Sequence, residues 1–178
     1  PYRYFEFPNA EVQKTRLHYR PGRVTVYGGG YIFSRLIKDL EADRAGGDIR
    51  VAWGVGCTRA PDDPGYHAAA GAFTLFGVRD YHLAEAYEYA PCVTCMHPFF
   101  EAPPEPDTEV VFYAHALKSD NVVRVPGMAE ANNHGVSLEA ALRFIARGET
   151  VVTNSYHGTY WGLLMGRKVL CVPFNRKF

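Results

Sequence analysis

The sequence predicts an α/β protein of two Rossmann-like lobes with parallel sheets, and three observations predict it. Apolar strand-like runs alternate with helix-like segments along most of the chain, glycine or polar turns close several of those runs, and one proline-rich acidic stretch, EAPPEPDTE at 101–109, interrupts the alternation. Repeated strand, turn, helix order gives a parallel sheet with crossover helices, because parallel neighbours need a long connection over the sheet face. The interruption sets the boundary: residues 1–104 form an N-terminal lobe and 105–178 a C-terminal lobe, with Pro103, Pro104 and Pro106 stiffening a solvated spacer. An active cleft is expected between two such lobes.

Each element has its own signal. RVTVYGGGYIF (23–33) is a strand running into a glycine turn, and SRLIKDLEADRAGG (34–47) a helix with Ser34 as cap, Leu36, Ile37 and Leu40 as apolar stripe, and Gly46-Gly47 as stop. DIRVAWGVGC (48–57) and AFTLFGVRD (72–80) are strands separated by the loop RAPDDPGYH, and YHLAEAYEY reads as helical. Beyond the spacer, EVVFYAHAL (109–117) and NVVRVPG (121–127) are strands. SLEAALRFIARGE is a helix capped by Ser137, striped by Leu138, Leu142 and Ile145, and stopped at Gly148. The last unit, VVTNSYHGTYWGLLMGRKVLCVPF (151–174), runs from a buried strand through the polar turn Thr153-Asn154-Ser155 to a helix over Thr159–Met165 and a strand at Val169–Val172.

Composition excludes several classes. Nineteen basic residues balance nineteen acidic ones, so no global field favours nucleic acid or an anionic membrane, and any anion site must be local. Hydrophobic content of 47% is ample for buried cores. No apolar run approaches the ~20 residues of a spanning helix, and the N-terminus is too charged and aromatic for a signal peptide, which points to a cytoplasmic protein. The chain opens on Pro1 and stops at Phe178 just after a strand, so further terminal segments are expected.

The four cysteines do not read as a disulfide framework. Cys57 and Cys171 lie in or beside apolar runs, where a thiol acts as a small hydrophobe. Cys92 and Cys95 form PCVTCMHP with His97 two residues on, which fits plain structural thiols, a redox pair, or three of the ligands of a zinc site that lacks a readable fourth.

The chemistry-capable residues gather at strand ends. His157 and Gly158 follow a strand and meet a helix N-terminus, where backbone N–H groups and the helix dipole favour an anion. His157 adds a group that exchanges a proton near neutral pH, the alternative being a structural imidazole. Gly28, Gly29 and Gly30 after a strand suit close approach of backbone to an anion, or a tight turn without ligand; no nucleotide-binding glycine motif follows. Arg79-Asp80 ends another strand, where a guanidinium fork suits carboxylate or phosphate, or makes an ordinary ion pair.

Together the glycines at 28–30, WGVG at 53–56, GVRD at 77–80, PCVTCMHP at 91–98 and the strand-T-x-x-x-HG-helix-G-(R/K)-strand unit at 150–173 resemble the polysaccharide pyruvyl transferases, over about residues 23–174. The resemblance implies a fold similar to GT-B glycosyltransferases and transfer of the enolpyruvyl carbons of phosphoenolpyruvate to a sugar hydroxyl as a ketal, with no cofactor and no metal. It implies His157 and Arg79 as catalytic residues. Gly28, Gly29, Gly30, Asp80, Ser155, Tyr156, Gly158 and Thr159 are expected to bind substrate. It also implies a saccharide or lipid-linked saccharide acceptor, a place in surface-polysaccharide synthesis, and peripheral membrane contact without a transmembrane segment. The family pattern carries an arginine two residues before the histidine, where this chain has Ser155; Arg167, Lys168, Arg176 and Lys118 are the candidate substitutes. A GT-B glycosyltransferase using a nucleotide sugar, although no acidic residue for a ribose follows Val172, and a non-catalytic saccharide-binding domain are the other two readings.

Overall fold

Valine-rich runs and short connections build two parallel-stranded sheets, as the alternation predicts. The computed structural model describes residues 18–19, 24–28, 49–56, 67–68, 70–118, 124 and 126–174. Gly29, Gly30, the helix expected at 34–47, Cys57 and Arg176 lie outside the described residues. The chain divides between Thr94 and Cys95 into two compact units.

In the first unit β1 (His18–Tyr19) pairs antiparallel with β2 (Val24–Gly28). From β2 the sheet continues in parallel through β3 (Ile49–Val55), β4 (Leu75–Val78) and β5 (Glu88–Tyr89), in sequential order. Tyr27, Ala52, Val55, Phe76, Val78 and Leu83 form its core, with Phe73 edge-on to Tyr27 at 5.3 Å between centroids. The glycines of WGVG have separate reasons. Gly54, at φ 60°, takes a left-handed conformation at the register shift between Ala52 and Val55, which marks a bulge. Gly56 leaves room for the Arg79 side chain, whose Nε lies 2.8 Å from where a Cβ would stand. YHLAEAYEY is not the expected helix: it makes a 3-10 turn at Tyr81–Leu83 and then β5. Residues 79–87 are too few to carry a helix along the sheet and still set Glu88 beside Gly77.

The second unit is a four-stranded parallel sheet. Its strands are β6 (Thr108–Ala114), β7 (Ala129–Asn132), β8 (Gly148–Thr153) and β9 (Lys168–Cys171), in spatial order β7-β6-β8-β9. Helix α1 (Leu138–Ala146) joins β7 to β8, and α2 (Tyr156–Leu164) joins β8 to β9. Ser137 caps α1 as expected, its Oγ accepting from the Ala140 N–H at 3.2 Å. Leu142 and Ile145 are fully buried, and Leu138 packs beside them. The period of two along β6 covers both sheet faces. Val111 and Tyr113 face a core shared with α1, Val151, Trp161 and Met165, while Phe112 and Ala114 face the other side with Met128 and Val152.

Two expectations need correction here. Of the strand expected at 121–127, residues 121–123 and 125 lie outside the described residues, while Pro126 and Gly127 form a turn, Gly127 at φ 81°, ahead of β7. Nor does EAPPEPDTE run as a free spacer. Arg147 accepts from the N–H groups of Asp107 and Thr108 through its carbonyl and pairs with the Asp107 carboxylate at 3.1 Å, and Arg167 donates to the Pro104 carbonyl. Phe99 and Phe100 pack against the second core. The stretch therefore belongs to the second unit, and the division falls before it.

Candidate functional site

Strand order singles out one sheet edge. The second unit enters at β6, steps to β7 on one side, and returns across β6 to β8 and β9 on the other, so the order reverses between β6 and β8. Ligands of open α/β sheets bind outside the carboxyl ends of the strands at such a reversal, where the connections diverge and leave a crevice. At this edge the chain places Ala114, the last residue of β6, with His115, Ala116, Leu117 and Lys118 after it, and Thr153, the last residue of β8, with Asn154, Ser155, Tyr156 and His157 after it. The first sheet runs in sequential order, with no reversal among its described strands.

The edge is held by side chains that the strands themselves supply. Thr153 Oγ1 donates to the Tyr113 carbonyl at 2.6 Å and accepts from the Ser155 N–H at 3.0 Å. Asn154, 1% exposed, accepts from the His115 N–H at 2.7 Å and donates through Nδ2 to the Lys118 carbonyl at 2.6 Å. Asn133, just past β7, accepts from the Ala116 N–H at 3.0 Å and donates its own N–H to the Ala114 carbonyl at 3.2 Å. Three strand ends are thus tied by amide side chains. Burying an asparagine is favourable only with its polar atoms satisfied, which these bonds do on both ends of Asn154.

α2 begins three residues earlier than expected, so His157 and Gly158 are helical. Ser155 is the cap, accepting from the Gly158 N–H at 3.4 Å, and His157 is the second helical residue. Its imidazole stacks on Trp161 one turn on, with centroids 4.9 Å apart, and stands edge-on to Tyr156 at 5.4 Å. Tyr156 stacks on Tyr160 at 6.1 Å. The ring that can exchange a proton is therefore ordered by aromatic neighbours at the positive end of a helix. Gly158 serves packing: a Cβ there would overlap Thr153 Oγ1 and stand 2.9 Å from Tyr113 Cδ1. It lets α2 lie close on the strands, as the last glycine of dinucleotide-binding turns does. Thr159 donates its hydroxyl to the Ser155 carbonyl at 3.2 Å.

The remaining expected site residues sit elsewhere. Gly28 ends β2, and Arg79 and Asp80 follow β4, all in the first unit. Arg79 is 6% exposed, its guanidinium lying against Gly56 and its N–H donating to the Val55 carbonyl at 3.1 Å. Of the candidate substitutes for the missing arginine, Arg167 donates to the carbonyls of Pro104 and Ala146, and Lys168 pairs with Glu149 at 2.6 Å, both at the amino ends of the strands. Lys118 is at the carboxyl edge. His115, whose ring meets Phe174 at 5.2 Å, is a residue the sequence reading passed over, because it closes the apolar run 109–117. Cys92 Sγ lies 3.2 Å from the Thr94 hydroxyl, and among the described residues no group of three or more His, Cys, Asp or Glu is placed to hold a metal ion. No helix among them is long and apolar enough to cross a membrane.

Burial beneath α2 pushes the Tyr113 phenol up to about 12. An unfolded tyrosine titrates near ~10, so the stability linked to this group is complete below pH ~10 and is lost as pH rises through the folded value. Between pH 9 and pH 11.5 the melting temperature of Tyr113→Phe should fall less than that of the wild type, as measured by circular dichroism. Parallel falls would mean that Tyr113 is not the group being titrated. The chain matches no protein-family model, no curated protein and no solved structure.

Proposed function

We propose that the protein is a pyruvyl transferase acting on a saccharide, and that the carboxyl edge of the second sheet receives phosphoenolpyruvate. The observation that carries this reading is His157: an ordered imidazole in the first turn of α2, beside the strand-order reversal. A helix start favours a carboxylate and a phosphate, and an imidazole supplies or removes a proton near neutral pH. In the reaction a proton is delivered to the methylene carbon of the enol, and a sugar hydroxyl adds to the adjacent cationic carbon, losing its proton. Phosphate departs with the carbon–oxygen electron pair. A second hydroxyl then adds and loses its proton to close the ketal. His157 is assigned the proton transfers or the leaving phosphate. A lipid-linked saccharide acceptor, presented at the cytoplasmic face of a membrane, and a GT-B-like plan for the whole enzyme belong to the same proposal.

The test is thermal-shift binding of the purified chain with phosphoenolpyruvate, UDP and GDP, followed by acceptor-dependent phosphate release. Phosphoenolpyruvate at 100 Kd should stabilise the fold by about 2.7 kcal/mol. Stabilisation by a nucleoside diphosphate alone would replace this reading with a nucleotide-sugar glycosyltransferase. No stabilisation by any of the three would remove the catalytic reading altogether.

A further inference from the structure

We infer that Tyr81 and Tyr89 form a stacking platform for the ring of a neutral sugar, on the acceptor side of the proposed transfer; the inference rests on the reading of the substrate as a saccharide. Both tyrosines belong to the first unit. Tyr81 opens the 3-10 turn that follows β4, and Tyr89 is the last residue of β5, the strand beside β4. The register sets Tyr89 against Val78, the last residue of β4. The pair therefore stands at the carboxyl ends of two adjacent parallel strands, the side of an open α/β sheet on which ligands bind. A continuous helix through YHLAEAYEY would hold the two residues about 12 Å apart along its axis. Turn and strand instead bring their rings to 5.6 Å between centroids, edge to face at 85°.

Exposure separates this pair from the aromatics of the core. Tyr27, Phe73, Phe76 and Tyr87 meet one another at 5.3–5.5 Å in or against the buried cluster. Tyr81 is 79% exposed and Tyr89 47%. The turn buries Leu83 completely and, at three residues per revolution, sends Tyr81 outward. Its backbone is fixed on both sides. The Leu83 N–H donates to the Asp80 carbonyl and the Ala84 N–H to the Tyr81 carbonyl, each at 3.0 Å, and the Ala90 N–H, just past Tyr89, donates to the Val78 carbonyl at 2.8 Å. Two large rings are thus mounted in water on a tied backbone, and edge-to-face contact leaves an aromatic face uncovered. A pyranose offers such a face its axial C–H groups, while its hydroxyls donate to carboxylates. Each tyrosine directly follows one, Asp80 and Glu88, and residues 80–89 carry Glu85 besides and no lysine or arginine. Arg79, the residue before them, is buried with its guanidinium against Gly56. A neutral ring suits this acidic segment, and an anionic ligand is repelled by it.

The experiment is saturation-transfer NMR titration of the full chain with the methyl glycosides of glucose, galactose and mannose, with methyl glucuronide as the anionic comparison and phosphoenolpyruvate as a separate ligand. The variants are Tyr81→Ala, Tyr81→Phe, Tyr89→Ala and Leu163→Ala, and a melting curve on each separates lost binding from lost fold. A neutral glycoside should bind the wild type, and Tyr81→Ala and Tyr89→Ala should each weaken it about three- to tenfold, the size of one lost aromatic contact. Tyr81→Phe keeps the ring and should keep most of the affinity. Leu163, an exposed apolar residue of α2, is the control, and Leu163→Ala should keep all of it. Glycoside binding that both tyrosine-to-alanine variants leave unchanged overturns this inference, as does tighter binding of methyl glucuronide than of the neutral glycosides. Silence toward every neutral glycoside, with phosphoenolpyruvate still bound, overturns the inference and leaves the pyruvyl-transfer reading standing. Tyr81-dependent glycoside binding without phosphoenolpyruvate binding supports the inference and overturns that reading. Absence of binding to all of them overturns both.

Discussion

If the protein transfers pyruvyl groups as proposed, replacing His157 by Gln is expected to lower the rate by about 10²–10⁴-fold, the usual contribution of one positioned proton-transfer group. The change keeps a polar side chain of similar reach but removes a group that exchanges a proton near neutral pH. It also removes the stack on Trp161 and the edge contact with Tyr156, at a cost of about 0.5–1.5 kcal/mol. His157→Phe separates the two contributions. Phenylalanine retains the stacking and loses the chemistry, so it should fold as well as the wild type and transfer no faster than the Gln variant. An active His157→Phe enzyme would mean that the imidazole serves only as an aromatic spacer under the first turn of α2. Acceptor-dependent phosphate release and melting temperature, measured on both variants, decide between these outcomes.

How much of this was legible beforehand depended on the range of the interactions involved. α1 was readable because its signals are local: Ser137 caps, Leu142 and Ile145 recur at helical spacing, and the structure uses all three. The strand, helix, strand order of the last unit was readable for the same reason. The start of α2 was placed three residues late because Asn154, Ser155 and Gly158 carry turn chemistry. Ser155 in fact caps the helix, and Gly158 is demanded by the strands beneath it rather than by a turn. Contacts across the sequence left no local mark. Asn154 meets His115 and Lys118 from thirty-nine and thirty-six positions away, so their meeting follows only from the pairing of β6 with β8. The 101–109 segment misled for a related reason. Prolines and acids read as a solvated spacer, whereas the partners that hold it, Arg147 and Arg167, lie on other elements. WGVG and GVRD were visible as separate motifs, but that Gly56 makes room for Arg79 required β3 and β4 to be neighbours.

Gly158→Ala provides the sharpest test of the packing beneath the site, because two physical terms predict opposite signs. Within a helix, alanine is favoured over glycine by about 1 kcal/mol, so propensity alone predicts a more stable protein. Packing predicts the reverse. The new methyl group would overlap Thr153 Oγ1 and stand 2.9 Å from Tyr113 Cδ1 and 3.1 Å from Thr153 Cβ. Thr153 cannot turn aside without cost, since its hydroxyl donates to the Tyr113 carbonyl and accepts from the Ser155 N–H. Tyr113 is held between Trp161 and Phe144 at 6.3 Å from each. Overpacking of a rigid core costs about 1–3 kcal/mol, to which the lost Thr153 bonds add, so packing outweighs propensity. The expected net loss is on the order of 2 kcal/mol, a fall of roughly 4–8 °C in melting temperature for a chain of this size. Gly166→Ala is the control. Nothing lies within 4 Å of its added Cβ, and its φ of 68° makes any loss a matter of backbone strain alone. The relief available to Gly158→Ala is for the first turn of α2 to lift off the strands, which carries His157 with it. Transfer activity should therefore fall further in Gly158→Ala than in Gly166→Ala, even at temperatures where both are fully folded. A Gly158→Ala protein that melts higher than the wild type would show that α2 does not rest on Thr153 and Tyr113, and the placement of His157 argued from that contact would fall with it.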